Sequence, residues 1–124
     1  IPIEKDGHHK TILVAEDVDS NYLLLQTLLE KEYTLHHAQN GFQAVDMFKT
    51  TSPDLVLMDI KMPKMNGLEA TQIIRRQSKT VPIIALTAFA FESDKEAALQ
   101  AGCNDFLTKP FSKSALMNML QKYT

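Results

Sequence analysis

LVLMDIKMPKMNG, residues 55–67, opens on four consecutive apolar residues, carries an aspartate at position 59 and closes on a helix start. No polar residue interrupts Leu55–Met58, so the run reads as a strand buried on both faces. Asn66, three residues before Glu69, is a capping side chain with a partner able to reach back. A strand feeding a helix through a short polar connection is half of a βα repeat, and the pattern recurs on both sides. Upstream, Thr11–Ala15 (TILVA) and Tyr33–Ala38 read as strands, and downstream Val81–Thr87 (VPIIALT) and Asp105–Leu107 do the same. Tyr33–Ala38 and Asp105–Leu107 are the less hydrophobic of these and are expected at the sheet edges.

The intervening segments have helical periodicity. Ser20–Lys31 sets Leu24, Leu25, Leu28 and Leu29 at helical spacing, and Gly41–Thr50 does so with Phe42, Val45 and Phe48. Asn40 with Gln43 and Ser93 with Glu96 repeat the capping signal, and a last helix over Ser112–Gln121 aligns Leu116, Met119 and Leu120. Right-handed crossovers then give an α/β domain whose five-stranded parallel sheet is covered on both faces.

The 124 residues, 44% hydrophobic and 23% charged, suffice for one domain with its own core. Residues 10–124 form that domain, and residues 1–9 read as a linker or tail because His8 and His9 follow Asp6-Gly7 in a polar stretch. One cysteine, Cys103, fits a reducing compartment, so the expected location is cytoplasmic. No apolar run is long enough to span a membrane. The formal charge of −2 offers no field for nucleic acid, and Arg75, Arg76 and Lys79 read as the solvated end of a helix.

Polar residues far apart in sequence fall at the carboxyl ends of these strands. Glu16 and Asp17 follow TILVA, Asp59 follows LVLM, Thr87 ends VPIIALT and Lys109 closes FLTK. In an open parallel sheet these ends share one edge, and ligands bind there. Carboxylates gathered at one point raise each other's pKa unless a cation sits among them. A hard, oxygen-seeking Mg²⁺ suits loops that hold no cysteine or histidine, and Mn²⁺ can substitute. Lys109 and Thr87 add an ammonium and a hydroxyl for phosphoryl oxygens, leaving Asp59 as the nucleophile of an acyl phosphate.

TILVAED, LVLMDIKMPKMNG, IIALTA and FLTKPF, in that order, resemble the response-regulator receiver family over nearly all of Lys10–Tyr123. The resemblance implies a flavodoxin-like doubly wound sheet in the order 2-1-3-4-5. It implies phosphorylation at Asp59, with Asp17 and Asp59 and the backbone carbonyl of Lys61 on the metal and Glu16 acting through water. Glu16 stands where the family more often has aspartate. The Thr87 hydroxyl, the Ala88 backbone amide and Lys109 would stabilise the phosphoryl group, and Thr87 with Phe106 would form the switch pair. Lys61 and Phe89 match positions that tune dephosphorylation, an apolar Phe89 implying slower hydrolysis. The Lys109-Pro110 bond resembles one that is cis in the family.

Asn21 and MDIKMPKMNGLEATQIIR resemble receivers attached to hybrid histidine kinases, and the N-terminal linker agrees with excision from a longer chain, a parent kinase anchored at the membrane with this segment on its cytoplasmic side. The implied donor is a histidine kinase or histidine phosphotransfer domain, since His36 and His37 fall in a strand. The isolated domain is then no kinase, but catalyses its own aspartyl phosphorylation and dephosphorylation. A weak homodimer through the fourth helix, fifth strand and last helix is a further implied contact. Three rival readings fit these residues less well. A phosphatase using Asp59 would need a second aspartate where Lys61 stands. A nucleotide or flavin binder would need a glycine-rich loop where Glu16 and Asp17 stand. A pseudo-receiver would lack part of the Asp59, Thr87 and Lys109 set.

Overall fold

The computed structural model describes residues 10–88 and 91–124; the expected linker over residues 1–9, and Phe89, lie outside the described residues. The elements alternate as β1 (Lys10–Ala15), α1 (Asp19–Leu29), β2 (Tyr33–Ala38), α2 (Gly41–Thr51), β3 (Leu55–Asp59), α3 (Gly67–Gln77), β4 (Ile83–Thr87), α4 (Glu92–Ala101), β5 (Asp105–Thr108) and α5 (Lys113–Tyr123). The strands make one parallel sheet in the order β2-β1-β3-β4-β5, with β2 and β5 at the edges as their composition suggested.

The pleat explains why central strands read as unbroken apolar runs. Leu13, Val56, Met58, Ile83 and Ala85 face one layer with Ala44, Ala70, Ile74 and Ala98 of α2, α3 and α4. Their sequence neighbours Ile12, Val14, Leu55, Leu57, Ile84 and Leu86 face the other, with Leu25 and Leu29 of α1 and Leu116 and Leu120 of α5. Each such large side chain contributes about 1.5–3 kcal/mol on burial. Polar residues are thereby excluded from the interiors of the central strands and concentrate at their ends.

Capping fixes several helix starts. Asn66 accepts from the Glu69 N–H at 2.9 Å and the Glu69 carboxylate accepts from the Asn66 N–H at 3.2 Å, a complete capping box for α3. Asn40 accepts from the Gln43 N–H, but the Gln43 side chain reaches past it to the N–H of Gln39. Ser112 caps α5 through the Ala115 N–H.

Three expectations are corrected. α4 begins at Glu92 with Phe91 at the N-cap, so Ser93 sits inside the first turn and caps nothing. Glu92 and Asp94 complement the positive end of the helix dipole there in place of a side-chain cap. Arg75 is half-buried rather than solvated. Its guanidinium donates to the carbonyls of Gly102 (2.8 Å), Ser78 (3.1 Å) and Val81 (2.7 Å) and to Asn104 Oδ1 (2.7 Å). The same arrangement trims the fourth strand: the Val81 carbonyl is taken by Arg75 and Pro82 has no N–H, so β4 starts at Ile83 rather than Val81. Among the described residues, no helix is long and apolar enough to cross a membrane.

Candidate functional site

Glu16 immediately follows β1, Asp59 ends β3, Thr87 ends β4 and Lys109 follows β5, so the expected residues meet at one edge of the sheet. Carboxylate oxygens of Glu16, Asp17 and Asp59 lie within 4.8 Å of one another. Glu16 is fully buried and Asp59 nearly so, at 6% exposure, while Asp17 is on the solvent side. Lys109 Nζ donates to Glu16 Oε2 at 2.7 Å and to Asp59 Oδ2 at 3.2 Å.

Both oxygens of the Glu16 carboxylate are held. Its Oε1 accepts from the Val18 N–H at 3.2 Å and from Asn21 Nδ2 at 3.4 Å, tying the carboxylate to the first turn of α1, whose N-cap Val18 has no cap of its own. A carboxylate is favoured at that positive helix end. Asp59 Oδ1 accepts from the Lys61 N–H at 3.2 Å. The Gly67 N–H donates to the Ile60 carbonyl at 2.9 Å, and a Cβ at Gly67 would run into the Asp59 backbone carbonyl. Glycine at that place lets α3 start directly against the strand end that carries Asp59.

Burial and the neighbouring Glu16 carboxylate push Asp59 up to about 6, although Lys109 pulls the other way. Burial pushes the Lys109 ammonium down, but the Glu16 and Asp59 carboxylates outweigh it and leave its pKa above the ordinary value. One ammonium therefore undercompensates the cluster. An all-oxygen donor set that is short of positive charge suits a hard divalent cation such as Mg²⁺.

Thr87 is buried at the end of β4, and its carbonyl accepts from the Lys109 N–H at 2.7 Å. Phe106 pairs with Ala85 and Thr108 with Thr87, so Thr87 and Phe106 are diagonal neighbours on the same sheet face. The Phe106 ring packs on the α2–α3–α4 side of the core, with Lys95 Nζ 5.8 Å from its centroid. Ala88 joins Glu16, Asn21, Leu25, Lys109 and Phe111 in lining a cavity of about 330 Å³ beside the carboxylates. The Lys109-Pro110 bond is cis.

Residues 12–121 match the family described as the response regulator receiver domain. The chain belongs to that family. This receiver domain is 41% identical over 119 residues to the sensor histidine kinase GacS of Pseudomonas protegens, covering 91% of this chain and 13% of the length of that relative. It superimposes with a TM-score of 0.87 and 39% identity on the receiver domain of sensor histidine kinase PA1611 from Pseudomonas aeruginosa, described with a magnesium ion coordinated in its active site cleft; 94% of this chain and 98% of that one are covered. A TM-score of 0.87 at 34% identity, over 93% of this chain and 88% of the other, relates it to the receiver domain of Ssk1, solved with the histidine phosphotransfer protein Ypd1 of Saccharomyces cerevisiae. The chain is thus a receiver domain of a two-component system, similar to those of hybrid sensor kinases.

Two residues of the receiver's site region were not singled out for it from the sequence. His37, read only as a strand residue, has Nε2 at 2.8 Å from the Glu16 carbonyl oxygen, and its ring stacks on Tyr22 of α1. Its position on β2 beside Val14 was the available signal, but only the pairing register shows that this end of β2 abuts Glu16.

Proposed function

We propose that Asp59 accepts a phosphoryl group from a phosphohistidine and that the phosphorylated domain signals or relays it onward. The single observation that carries this reading is the meeting of the Asp59 carboxylate with Glu16, Asp17 and Lys109 at one sheet edge. In the transfer, an Asp59 carboxylate oxygen attacks phosphorus, the phosphorus–nitrogen bond of the donor breaks, and its electron pair leaves on the imidazole. Lys109, the Thr87 hydroxyl and the Ala88 backbone amide are assigned to the phosphoryl oxygens. A divalent cation, Mg²⁺ with Mn²⁺ as a substitute, would neutralise charge on the carboxylates and on the incoming group. Asp17, Asp59 and the Lys61 carbonyl would hold it directly and Glu16 through water.

Thr87 and Phe106 are assigned to the switch, the hydroxyl turning toward the phosphoryl group and the ring moving inward. Their diagonal placement on one sheet face supports this. Lys61, and Phe89 outside the described residues, are assigned to the rate of hydrolysis. The partner is a histidine kinase or histidine phosphotransfer domain, a reading supported by the Ypd1 complex of the Ssk1 receiver. A weak homodimer would use α4, β5 and α5, and the domain would work in the cytoplasm or on the cytoplasmic side of a membrane-anchored parent.

Intact mass after incubation with a small acyl-phosphate donor tests the reading. The expected result is one added phosphoryl group that requires both Mg²⁺ and Asp59 and disappears in Asp59→Asn. An equal gain in Asp59→Asn would overturn the assignment.

A further inference from the structure

The carboxylate of Asp17 is the least buried of the three that gather at the sheet edge, and Asp17 hangs from the Glu16–Asp17 peptide. That peptide is planar, so whatever fixes the Glu16 carbonyl also fixes the Asp17 nitrogen and limits where the Asp17 side chain can point. The Glu16 N–H donates to the Ala38 carbonyl at 2.9 Å, the last contact of the β1–β2 ladder. Its carbonyl is taken by a side chain instead: His37 Nε2 stands 2.8 Å from the oxygen. A carbonyl only accepts, so the hydrogen is on Nε2. The ring has little freedom to leave. Its centroid is 3.7 Å from that of Tyr22, with the two planes 1° from parallel. Tyr22 is held in turn by the start of α1, where its N–H donates to the Val18 carbonyl at 3.1 Å.

We propose that His37 is a positioning residue for the cation site. By donating from Nε2 to the Glu16 carbonyl it sets the Glu16–Asp17 peptide plane, and so aims the Asp17 carboxylate at the cluster with Glu16 and Asp59. The inference rests on the proposed use of that cluster. It adds an edge-strand residue, braced by an aromatic ring, that touches neither cation nor phosphoryl group. Removing a partner that orients a metal ligand commonly weakens metal binding about 10–100-fold.

The test compares the parent with His37→Phe, which keeps a ring for Tyr22 but loses the donor, and His37→Gln, whose side-chain amide restores a donor. The Mg²⁺ dissociation constant is expected to rise about tenfold in His37→Phe and to return toward the parent value in His37→Gln. The phosphorylation rate at saturating Mg²⁺ should stay close to the parent's. A His37→Phe variant with parental Mg²⁺ affinity, or a Gln variant no better than Phe, would overturn the proposal. A second measurement needs neither metal nor phosphoryl group: the residual dipolar coupling of the Asp17 N–H in the metal-free protein, which reports the orientation of that peptide plane. It should be averaged toward zero in His37→Phe and restored in His37→Gln, and an unchanged coupling in His37→Phe would count against the inference. Should the parent fail to bind Mg²⁺, the reading of the site falls while the coupling still decides the role of His37. If His37→Phe does not fold, the hydrogen on Nε2 is sought in the parent's imidazole nitrogen spectrum, and its absence would also sink the proposal.

Discussion

Asp59 is charged against its own surroundings. With burial and Glu16 raising its pKa to about 6 from an ordinary 3.8, the native state of the metal-free protein holds this proton more tightly than the unfolded chain does. The stability gained is fully present below about pH 4 and is lost as the pH rises through about 6. Asp59→Asn removes that dependence, and urea unfolding at pH 7.5 without metal should find the variant about 1–3 kcal/mol more stable than the parent. A cation among the carboxylates favours the ionised form, so protons and Mg²⁺ compete. Apparent Mg²⁺ affinity should therefore fall as the pH drops below about 6, which calorimetric titrations between pH 5 and pH 8 would read. Constant affinity across that range would contradict the assigned role of Asp59.

Among the helices, α4 is the one whose expected N-cap serine lies inside the helix. Ser93 and Glu96 carry the right residue types at the right spacing, yet the helix has already begun at Glu92 and no side chain caps it. Its C-terminal end is fastened more firmly. Gly102 caps it with φ +116°, a left-handed conformation that a side chain would resist, and Arg75 of α3 holds the Gly102 carbonyl. The same guanidinium reaches Val81 before β4 and Asn104 before β5, and Asn104 Oδ1 also accepts from the Ile83 N–H at 2.9 Å. Arg75→Ala leaves several of these acceptors without their donor and is expected to cost about 2–3 kcal/mol. Denaturant midpoints would show it, with Arg76→Ala, a change at an exposed neighbour, as the control.

For the whole molecule, the site and the fold are linked through the ends of separate strands. Glu16, Asp59 and Lys109 belong to segments that meet only when the sheet is complete, so the unfolded chain cannot gather the cluster. A ligand that binds only the folded state stabilises it, by about 2.7 kcal/mol at a hundred times its dissociation constant. Mg²⁺ should accordingly raise the urea midpoint of the parent and leave that of Asp17→Asn nearly unchanged. An equal rise in both would place the cation elsewhere.

What the sequence determined by itself was what is local or periodic. Leu55–Met58 and Ile12–Ala15 specify buried strands because every residue is apolar, Asn66 with Glu69 specifies a helix start because the two side chains reach the backbone of their own turn, and five such units specify a doubly wound parallel sheet. The placement of Glu16, Asp17, Asp59, Thr87 and Lys109 at strand ends was legible for the same reason, since topology brings those ends to one edge. Only the tertiary structure decided what depends on register and on packing between distant segments. Arg75 looked like a solvated charge because its acceptors lie in the connections around it, Ser78 and Val81 between α3 and β4 and Gly102 and Asn104 between α4 and β5, 3 to 29 residues away in the chain. His37 looked like an idle strand residue because its partner Glu16 lies 21 residues back and across the sheet. A hydrogen bond between remote residues has no period and no spacing, so it leaves no mark on the sequence until the fold has closed.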